Sequence, residues 1–330
     1  MRWGIAGYGD IVTRRVLPAL HALGEEPVAL WGRDPHRAAR IAEQYAVARS
    51  GDDPELLLSD VDAVYIATPV VHHVPFARAV LAAGIPVLIE KPLAGNLGAG
   101  GAVAAGGALG TGKALGAADP CAGVAYYRRL TPAVRRLREE LAAWTPDRVE
   151  VRFRCAFAPG PADPMRWRTD PAVSGGGVLA DAGSHRIDLL LHLFGRPRTI
   201  TARLGARFPR GAERQADLVL RWRSGVRAHC RVEWGDGPPV DRMRFTGGGR
   251  TLTLDPLDSG RIEGVVGPSP ALLLPPAANP HQDLLADFAA AVATGAAPVC
   301  PVAEARLVDD VLVAAERSDA AGGRAVRPWG

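Results

Sequence analysis

The chain has 330 residues, which is too long for one ordinary domain and predicts two domains of roughly 150 residues each. With 48% hydrophobic and 22% charged residues it can bury a sizeable core, which excludes an intrinsically disordered protein. Of its 39 lysines and arginines only Lys91 and Lys113 are lysines, and the remaining 37 arginines form no long run. The net charge of +4 therefore indicates no nucleic-acid partner.

Four cysteines stand singly along the chain, at Cys121, Cys155, Cys230 and Cys300. No pair has the close spacing of a zinc site, and a chain of this length needs no disulfides. We therefore expect no metal site and a reducing compartment. The first residues do not resemble a signal peptide, and no apolar stretch is uninterrupted enough for a membrane helix. A cytoplasmic location without a membrane partner is expected.

Short apolar runs alternate with helical stretches up to about residue 127. Strands are predicted over 3–6, 27–31, 63–67 and 87–89, and helices over 11–23, 34–45 and 75–83. Continuous apolar strands separated by helices indicate a parallel sheet that is covered on both faces. Asp34 followed by Pro35 predicts the start of the second helix, because a side-chain acceptor precedes a residue with a preset φ.

The pattern changes after about residue 147. Apolar and polar residues alternate over 149–157, which predicts a half-buried strand. Further strands are predicted over 199–208, 217–223, 226–234 and 242–245, and the longest candidate helix covers 283–294. This half of the chain is expected to form a mostly antiparallel sheet with a few helices. The fold class is therefore α/β, with predicted domains over 1–122 and 123–330.

A glycine-rich turn joins the first predicted strand to the first helix. Gly7 and Gly9 stand where the backbone of a dinucleotide-binding fold approaches a pyrophosphate and the next helix begins. Val12 occupies the third position of this fingerprint in place of glycine or alanine, so the match is imperfect. A single Gly-x-Gly is often only a turn, but its place at the start of a βαβ pattern favours cofactor binding.

The end of the second strand distinguishes NAD from NADP, because an NAD site has a carboxylate there for the ribose hydroxyls. This chain has Gly32 at that place, followed by Arg33, and Arg37 lies one helical turn further on. Two cations without an acid favour NADP(H), which carries a 2′-phosphate. The alternative is that Asp34 binds the ribose of NAD(H) and that these arginines belong to the general excess of arginine.

Polar residues also follow the third and fourth predicted strands. Thr68, Pro69 and His73 come after the third strand, and Glu90 and Lys91 come directly after the fourth. The carboxyl ends of parallel strands share one edge of the sheet, and ligands bind in the crevice at that edge.

Asp181, His185 and Asp188 follow a glycine run and are spaced four and three residues apart, so they share one face of a helix. This spacing suits proton transfer, with a carboxylate that orients and tunes the imidazole. Taken alone, an Asp–His pair is more often a helix cap or a structural hydrogen bond.

Together these segments are similar to the glucose–fructose oxidoreductase/inositol dehydrogenase/rhizopine catabolism (Gfo/Idh/MocA) family. The motifs that carry the resemblance are Gly7-Tyr8-Gly9, Thr68-Pro69 with His73, Glu90-Lys91-Pro92 and the segment from Asp181 to Asp188. The resemblance implies a Rossmann domain with a parallel sheet, followed by an α/β domain with an open, mostly antiparallel sheet. In this family that sheet commonly packs against a partner subunit, so a homodimer or homotetramer is expected.

The resemblance places the family's catalytic lysine on Lys91 and its aspartate and histidine on Asp181 and His185. In that interpretation His185 exchanges the proton of the substrate oxygen, Lys91 hydrogen-bonds the same oxygen, and Asp181 orients the ring. Tyr126 and Arg128 are candidate substrate-pocket residues, unless they are a packed aromatic and a surface arginine. The peptide bond after Lys91 is expected to be cis, as in relatives.

The candidate cofactor-binding residues combine the glycine turn, the ends of three strands and a tryptophan segment that often lies over the cofactor in the family. They are Gly7, Tyr8, Gly9, Asp10, Ile11, Gly32, Arg33, Arg37, Thr68, Pro69, His73, Glu90, Lys91, Trp167 and Arg168. The pair Gly32-Arg33 also resembles that of NADP-preferring members such as 1,5-anhydrofructose reductases.

The sequence thus predicts an NADP(H)-dependent oxidoreductase that acts on a sugar, a cyclic polyol or a related alcohol or ketone. One alternative is an NAD(H)-dependent sugar or inositol dehydrogenase. Another is a non-catalytic regulator that binds nucleotide or sugar on the same fold, as some family members do. The intact set of Lys91, Asp181 and His185 favours the enzyme.

Overall fold

The computed structural model describes residues 1–100, 121–264 and 271–329. Lys113 and most of the glycine- and alanine-rich stretch around it lie outside these residues. Contacts within the described chain define two compact units. The first unit consists of Met1–Ala94, 121–127 and Ala277–Arg306, and the second of Gly95–Gly100, Arg128–Pro276 and 307–329. Each unit is built from several stretches of sequence, whereas each predicted domain was one continuous range.

Strands alternate with helices in the first part of the chain and dominate its middle. The strands are β1 Arg2–Ala6, β2 Glu26–Trp31, β3 Arg49–Gly51, β4 Ala63–Ile66, β5 Val87–Ile89, β6 Ala122–Val124, β7 Arg148–Cys155, β8 Thr199–Arg207, β9 Glu213–Arg221, β10 Arg227–Trp234, β11 Val240–Gly247, β12 Arg250–Leu254, β13 Arg261–Glu263 and β14 Ala271–Leu273. The α-helices are α1 Leu17–Ala22, α2 Pro35–Gln44, α3 His73–Ala82, α4 Pro132–Ala142, α5 Pro171–Ser174, α6 Ser184–Phe194, α7 Pro280–Thr294 and α8 Val302–Ala320. Two π-helical segments cover Val12–Val16 and Leu179–Gly183, and short 3₁₀ helices cover Pro54–Leu57, Val70–His72, Gly95–Gly100, Tyr127–Leu130, Arg166–Thr169 and Leu257–Ser259.

The first unit contains a six-stranded sheet in the order β3-β2-β1-β4-β5-β6. Every pairing in it is parallel. Trp3, Ile5 and Tyr65 in the central strands are fully buried, as expected for strands that are covered on both faces. The predicted Rossmann-like parallel sheet is thereby confirmed. The strand order changes direction between β1 and β4, which is where such sheets bind their ligands.

Helix α7 covers this sheet with residues from near the end of the chain. Its Phe288 packs against Trp3 of β1, with 5.8 Å between the ring centroids, and both side chains are fully buried. The helix predicted over 283–294 therefore packs in the same unit as β1.

Helix α8 has 19 residues against 15 for α7, so the prediction that 283–294 is the longest helix was wrong. The buried face of α8 includes Ala305, Val308, Leu312 and Ala315 at helical spacing, and its alanines weaken the hydrophobic pattern in the sequence. Throughout the described part of the chain, no helix combines the length and the apolar character that a membrane span requires.

The second unit is organised around an eight-stranded sheet in the order β14-β13-β12-β11-β7-β10-β9-β8. Its neighbours are antiparallel except for β7 and β10, which confirms the predicted, mostly antiparallel sheet. Alternate residues such as Val149 and Val151 of β7 are fully buried. Helix α6 lies in contact with this sheet, where the guanidinium carbon of Arg186 is 4.2 Å from the centroid of the Phe153 ring.

The other face of this sheet carries charged residues that pair across strands. Arg242 of β11 pairs with Glu150 of β7 at 3.4 Å, and His229 of β10 lies 2.9 Å from Asp217 of β9. An oligomer formed through this face would be held by polar contacts. The homodimer or homotetramer expected through this sheet stays a prediction.

All four cysteines are free thiols. Burial, with a smaller contribution from the charge of Asp287, raises the pKa of Cys121 to about 11. Burial also raises the pKa of Cys230 to about 12. Both thiols are therefore protonated at neutral pH and are poor nucleophiles.

Candidate functional site

The turn after β1 is shaped by two glycines with different surroundings. Gly7 has a φ of +103°, and a Cβ added there would lie 2.7 Å from the carbonyl oxygen of Ala67. Glycine is therefore required where the chain leaving β1 approaches the chain leaving β4. A Cβ built on Gly9, in contrast, meets nothing within 4 Å. The turn thus leaves open space beside Gly9, at the carboxyl edge of the sheet.

The helix after this turn begins with a widened segment. Asp10 and Ile11 open the helix, and the π-helical segment Val12–Val16 follows them. The carbonyl oxygen of Gly9 accepts a hydrogen bond from the amide of Val12 at 2.9 Å, which ties the turn to the helix. Val12 is fully buried. The large residue at the third fingerprint position is therefore accommodated in a π-helical turn rather than in a regular α-helical one.

The ring of Tyr8 fills the place beside Gly32, at the end of β2. A Cβ on Gly32 would lie 1.7 Å from Cε1 of Tyr8, so a side chain there is excluded while the ring keeps its position. The amide of Asp34 donates a hydrogen bond to the Tyr8 hydroxyl oxygen at 2.9 Å. The guanidinium carbon of Arg37 lies 4.9 Å from the ring centroid, within range of a cation–π interaction. A packed tyrosine ring thus stands where an NAD site would have its carboxylate.

The charged side chains after β2 have distinct roles. Asp34 caps α2, because its carboxylate accepts a hydrogen bond from the amide of Arg37 at 3.0 Å. That hydrogen bond is the main cause that lowers the pKa of Asp34. Arg33 is exposed and forms no ion pair with any residue that the structure describes. The carboxylate is engaged in capping, whereas Arg33 and the side chain of Arg37 are exposed cations.

His73 joins the two loops that follow β4 and β5. Its Nε2 lies 2.9 Å from the carbonyl oxygen of Thr68, and its Nδ1 lies 3.0 Å from the carbonyl oxygen of Pro92. The ring is buried, and burial lowers its pKa, so the neutral ring donates to one carbonyl at a time. Pro69 follows Thr68 at the start of a 3₁₀ helix. The Thr68 hydroxyl oxygen is buried and has no hydrogen-bond partner in the described chain.

Glu90 is a buried carboxylate at the end of β5. Its Oε1 accepts a hydrogen bond from the Tyr65 hydroxyl at 2.5 Å and lies 3.4 Å from Nε2 of His281 in α7. Its Oε2 accepts a hydrogen bond from the amide of Lys91 at 3.1 Å. Burial alone would raise the pKa of Glu90, but His281, the Tyr65 hydroxyl and the charge of Lys91 lower it to about 2. The carboxylate is therefore ionised at neutral pH.

Lys91 is half-buried at this strand end, and its peptide bond to Pro92 is cis, as the family resemblance led us to expect. Tyr65 and His281 were not predicted as site residues. Tyr65 fits an ordinary strand position, and His281 is 191 residues away from Glu90 in the chain. No local pattern in the sequence could have joined these residues.

In the second unit a continuous helix carries Asp181 and His185. It runs from the π-helical segment Leu179–Gly183 into α6. Asp181 accepts a hydrogen bond from Nη1 of Arg168 at 3.1 Å, and the guanidinium carbon of Arg168 is 5.6 Å from the centroid of the Trp167 ring. His185 is 8% exposed. The structure thus joins Arg168, a predicted cofactor residue, to Asp181, a predicted catalytic residue.

Asp188 on the same helix has a different partner. Its carboxylate accepts hydrogen bonds from Nε and Nη2 of Arg129, the shortest at 2.6 Å, and both side chains are almost fully buried. Such a two-point buried ion pair neutralises both charges and fixes the position of the helix beside Arg129. Of the three residues predicted on one helical face, Asp181 and His185 stay candidates for proton transfer.

The last glycine of the run before this helix, Gly177, is explained by Glu213, a residue that was not predicted from the sequence. Glu213 of β9 accepts hydrogen bonds from the amides of Gly177 at 2.9 Å and Leu179 at 3.0 Å, which belong to the helix N-terminus. A Cβ on Gly177 would lie 2.1 Å from the carbonyl oxygen of Glu213, so only glycine fits there. Burial raises the pKa of Glu213. A glutamate at the start of a strand is ordinary in sequence, and only the long-range contact reveals its role.

The two candidate substrate residues lie in different units. Tyr126 is fully buried in the first unit. Arg128 in the second unit is 7% exposed and forms a two-point ion pair with Asp258, with distances of 2.8 and 2.5 Å. The alternative that Arg128 is a surface arginine was therefore wrong. Its part in a substrate pocket stays a prediction.

Two family models match the chain in succession. The model of the NAD-binding Rossmann fold of the GFO/IDH/MocA oxidoreductase family matches residues 1–105, and that of the GFO/IDH/MocA C-terminal domain matches residues 134–253. The chain belongs to the Gfo/Idh/MocA family. The family predicted from the motifs is confirmed, and so is the class of enzyme, an oxidoreductase.

Named relatives are similar to this Gfo/Idh/MocA chain along most of its length. A D-xylose 1-dehydrogenase (NADP(+)) 2 from Haloferax volcanii is 29% identical over 298 residues, covering 80% of this chain and 86% of the relative. A 1,5-anhydro-D-fructose reductase from Ensifer adhaerens is 27% identical over 304 residues, covering 88% of each chain. A solved levoglucosan dehydrogenase in complex with NADH and levoglucosan has a TM-score of 0.84 at 19% identity, covering 100% of both chains. At 19% identity this structural similarity is evidence of a shared fold and of nothing further.

Replacing each of the two turn glycines by alanine tests their different roles. Gly7→Ala places a Cβ against backbone at a positive φ, so we expect the free energy of unfolding to fall by about 2 kcal/mol. Gly9→Ala meets no neighbouring atom, so stability should change by less than about 0.5 kcal/mol. Dinucleotide affinity of Gly9→Ala should nevertheless fall at least ~10-fold, because the methyl group enters the space open to a pyrophosphate. Denaturant unfolding and fluorescence titration measure the two effects, and undiminished binding by Gly9→Ala would contradict the assignment.

Replacing the buried carboxylate tests its contribution to the fold. The folded-state pKa of Glu90 is about 2 against an ordinary value of 4.5, so its stabilisation is fully present above about pH 4.5 and is lost as the pH falls toward 2. Glu90→Gln should therefore lower the free energy of unfolding by about 3 kcal/mol at neutral pH, with a smaller difference in acid. Glu139→Gln, on an exposed side chain, is the matched control and should have no effect. Equal stability of wild type and Glu90→Gln at every pH would refute this role.

Proposed function

We propose that this chain is an NADP(H)-dependent oxidoreductase that interconverts a hydroxyl and a carbonyl group on a sugar, a cyclic polyol or a related compound. The observation that carries the proposal is the open glycine turn after β1, in an oxidoreductase-family chain that retains Lys91, Asp181 and His185. Relatives named for D-xylose, 1,5-anhydro-D-fructose and levoglucosan support a carbohydrate substrate.

The residues of the first unit fit a bound dinucleotide. Gly9 borders open space at the start of a helix, which suits a pyrophosphate. Gly7, Gly9 and the helix that begins at Asp10 would hold this group, and the buried Thr68 hydroxyl offers a further hydrogen bond. When bound, the nicotinamide ring supplies the hydride donor or acceptor.

The preference for NADP(H) is supported by the residues after β2. The Tyr8 ring occupies the space beside Gly32, so no carboxylate can stand there to bind ribose hydroxyls or to repel a phosphate. Asp34 is used to cap α2, which leaves Arg33 and Arg37 as cations for a 2′-phosphate. The xylose dehydrogenase relative is named for NADP(+), which supports this preference, whereas the levoglucosan dehydrogenase structure holds NADH.

The proton chemistry is assigned to three side chains. His185 exchanges the proton of the reacting oxygen, and Asp181, one helical turn before it, orients and tunes the imidazole. Arg168 holds the Asp181 carboxylate through its hydrogen bond. Lys91 donates a hydrogen bond to the reacting oxygen and stabilises the negative charge that develops there. Glu90 positions the backbone of Lys91 by accepting its amide hydrogen bond.

Removing the cations after β2 tests the cofactor preference. Arg33→Ala and Arg37→Ala should each raise the Kd for NADPH about 10-fold or more, because each loses a charge-assisted hydrogen bond. The Kd for NADH should stay within about 2-fold, since NADH has no 2′-phosphate. Arg40→Ala, which removes another exposed cation of α2, is the matched control. Fluorescence titration measures all four proteins, and an equal loss for NADPH and NADH would exclude recognition of the 2′-phosphate.

Substitution of the proposed catalytic residues tests the enzyme itself. Lys91→Met and His185→Asn should each lower kcat at least ~100-fold, and the Kd of His185→Asn for NADPH should stay within about 3-fold. His229→Asn, on the outer face of the eight-stranded sheet, should leave both values unchanged. Turnover is followed by near-ultraviolet absorbance with sugars, inositols, keto-sugars and nucleotide-sugars. No turnover by the wild type on the whole panel, or full turnover by both variants, would favour the non-catalytic regulator.

A further inference from the structure

A cavity of about 470 Å³ lies in the second unit, at the carboxyl end of α6. It is bounded by the segment after α6, by the turn between β9 and β10 and by the last described residues of the chain. His185 stands at the start of α6 and Phe194 at its end, roughly 14 Å apart along the helix axis at about 1.5 Å per residue. The cavity is therefore separate from the proposed proton-transfer residues. Its volume is within the range of small-molecule sites.

Aromatic rings form one wall of this cavity and are fixed in place. The Trp222 indole N–H donates to the carbonyl oxygen of Gly195 at 2.8 Å, and that of Trp329 donates to the carbonyl oxygen of Pro197 at 2.7 Å. Phe194 lies 5.6 Å from Trp222 between ring centroids. Because both indole N–H groups are used, the rings can meet a ligand only through their apolar surfaces. Trp222 is 6% exposed, and the guanidinium carbon of Arg196 lies 5.3 Å from the centroid of the Trp329 ring, so an arginine already stacks on this wall.

Four arginines line the same cavity, and they come from three separate stretches of the chain. They are Arg196, Arg198, Arg223 and Arg327. All four are exposed, and none forms an ion pair within the described chain. A single arginine after the end of a helix would be explained by its favourable interaction with the helix dipole. The dipole of α6 does not explain four arginines that come from three separate stretches of the chain. Four like charges around one cavity give it a positive potential, which favours the binding of an anion there.

Another cavity in the same unit has a different charge pattern. It has a volume of about 550 Å³, and its lining combines Arg242 and Arg244 with Asp255 and Glu263. Of these two cavities, the one at the end of α6 is lined by arginines without acids.

We propose that the cavity at the end of α6 binds a nucleoside diphosphate. Guanidinium groups bind phosphate oxygens in a two-point geometry, and several of them suit a ligand with more than one phosphate charge. The tryptophan rings suit the base, because base–aromatic stacking is favourable for any base. The site is independent of the dinucleotide turn in the first unit and of the proposed oxidoreductase activity.

Calorimetric titration of the full chain with ADP tests the proposal. Arg223→Ala/Arg327→Ala should weaken ADP binding at least 10-fold relative to the wild type. Arg148→Ala/Arg227→Ala removes the same charge from two exposed arginines on neighbouring strands of the same unit and should leave ADP binding within 2-fold. In a Gly9→Ala background, in which the dinucleotide turn is weakened, Arg223→Ala/Arg327→Ala should still weaken ADP binding at least 10-fold. Pyrophosphate should bind at least 10-fold more weakly than ADP, because it lacks the base.

Each other result would overturn the site. A loss with Gly9→Ala but not with Arg223→Ala/Arg327→Ala would place ADP on the dinucleotide turn. If both arginine pairs lowered the affinity for ADP equally, ADP would be attracted only by the overall charge of the protein and not by this cavity. If pyrophosphate bound as tightly as ADP, the cavity would bind anions without recognising a base, and the aromatic wall would play no part. No heat of ADP binding to the wild type at millimolar concentration would exclude the site altogether.

Discussion

The ionised carboxylate of Glu90 is the feature on which the order of the first unit depends. A buried charge costs several kcal/mol unless it is paired and hydrogen-bonded. Glu90 meets this condition because the amide of the adjacent Lys91 is joined by the Tyr65 hydroxyl and the His281 ring, which come from distant parts of the chain. The contacts that stabilise the charge also fix the loop that carries Lys91 and join α7 to the end of the sheet. The hydrogen bonds of Glu90 therefore both hold this part of the first unit in place and position Lys91 for its proposed role.

Carboxylates have comparable structural roles in the second unit. Glu213 satisfies the amides at the start of the helix that carries Asp181 and His185, and Asp188 anchors the same helix to Arg129. Asp181 differs from both, because it is half-exposed and hydrogen-bonded to Arg168. A partly solvated carboxylate can adjust to the charge of a neighbouring imidazole, which the buried ones cannot do without loss of stability.

The features that were predictable from the sequence are those with local causes. The parallel strands follow from continuous apolar runs, and the cap of α2 follows from Asp34 and Pro35, because a cap is made within three residues. The absence of an acid at Gly32 was evident in the sequence, but the Tyr8 ring that fills its place was not. Glu213 and His281 were missed for the same reason: their partners are distant in the chain, and neither residue type stands out at its position.

The return of residues 277–306 to the first unit has a consequence for the order of events on the ribosome. Strands β1 to β5 are synthesised first, yet Trp3 lacks Phe288, and Glu90 lacks His281, until the whole eight-stranded sheet has been translated. The amino-terminal sheet is thus the first to be made, but it is completed only after all strands of the other sheet have been translated. During that interval the face that α7 later covers is exposed, and Glu90 lacks one of its three partners. Transiently exposed apolar surface of this kind favours aggregation of a nascent chain.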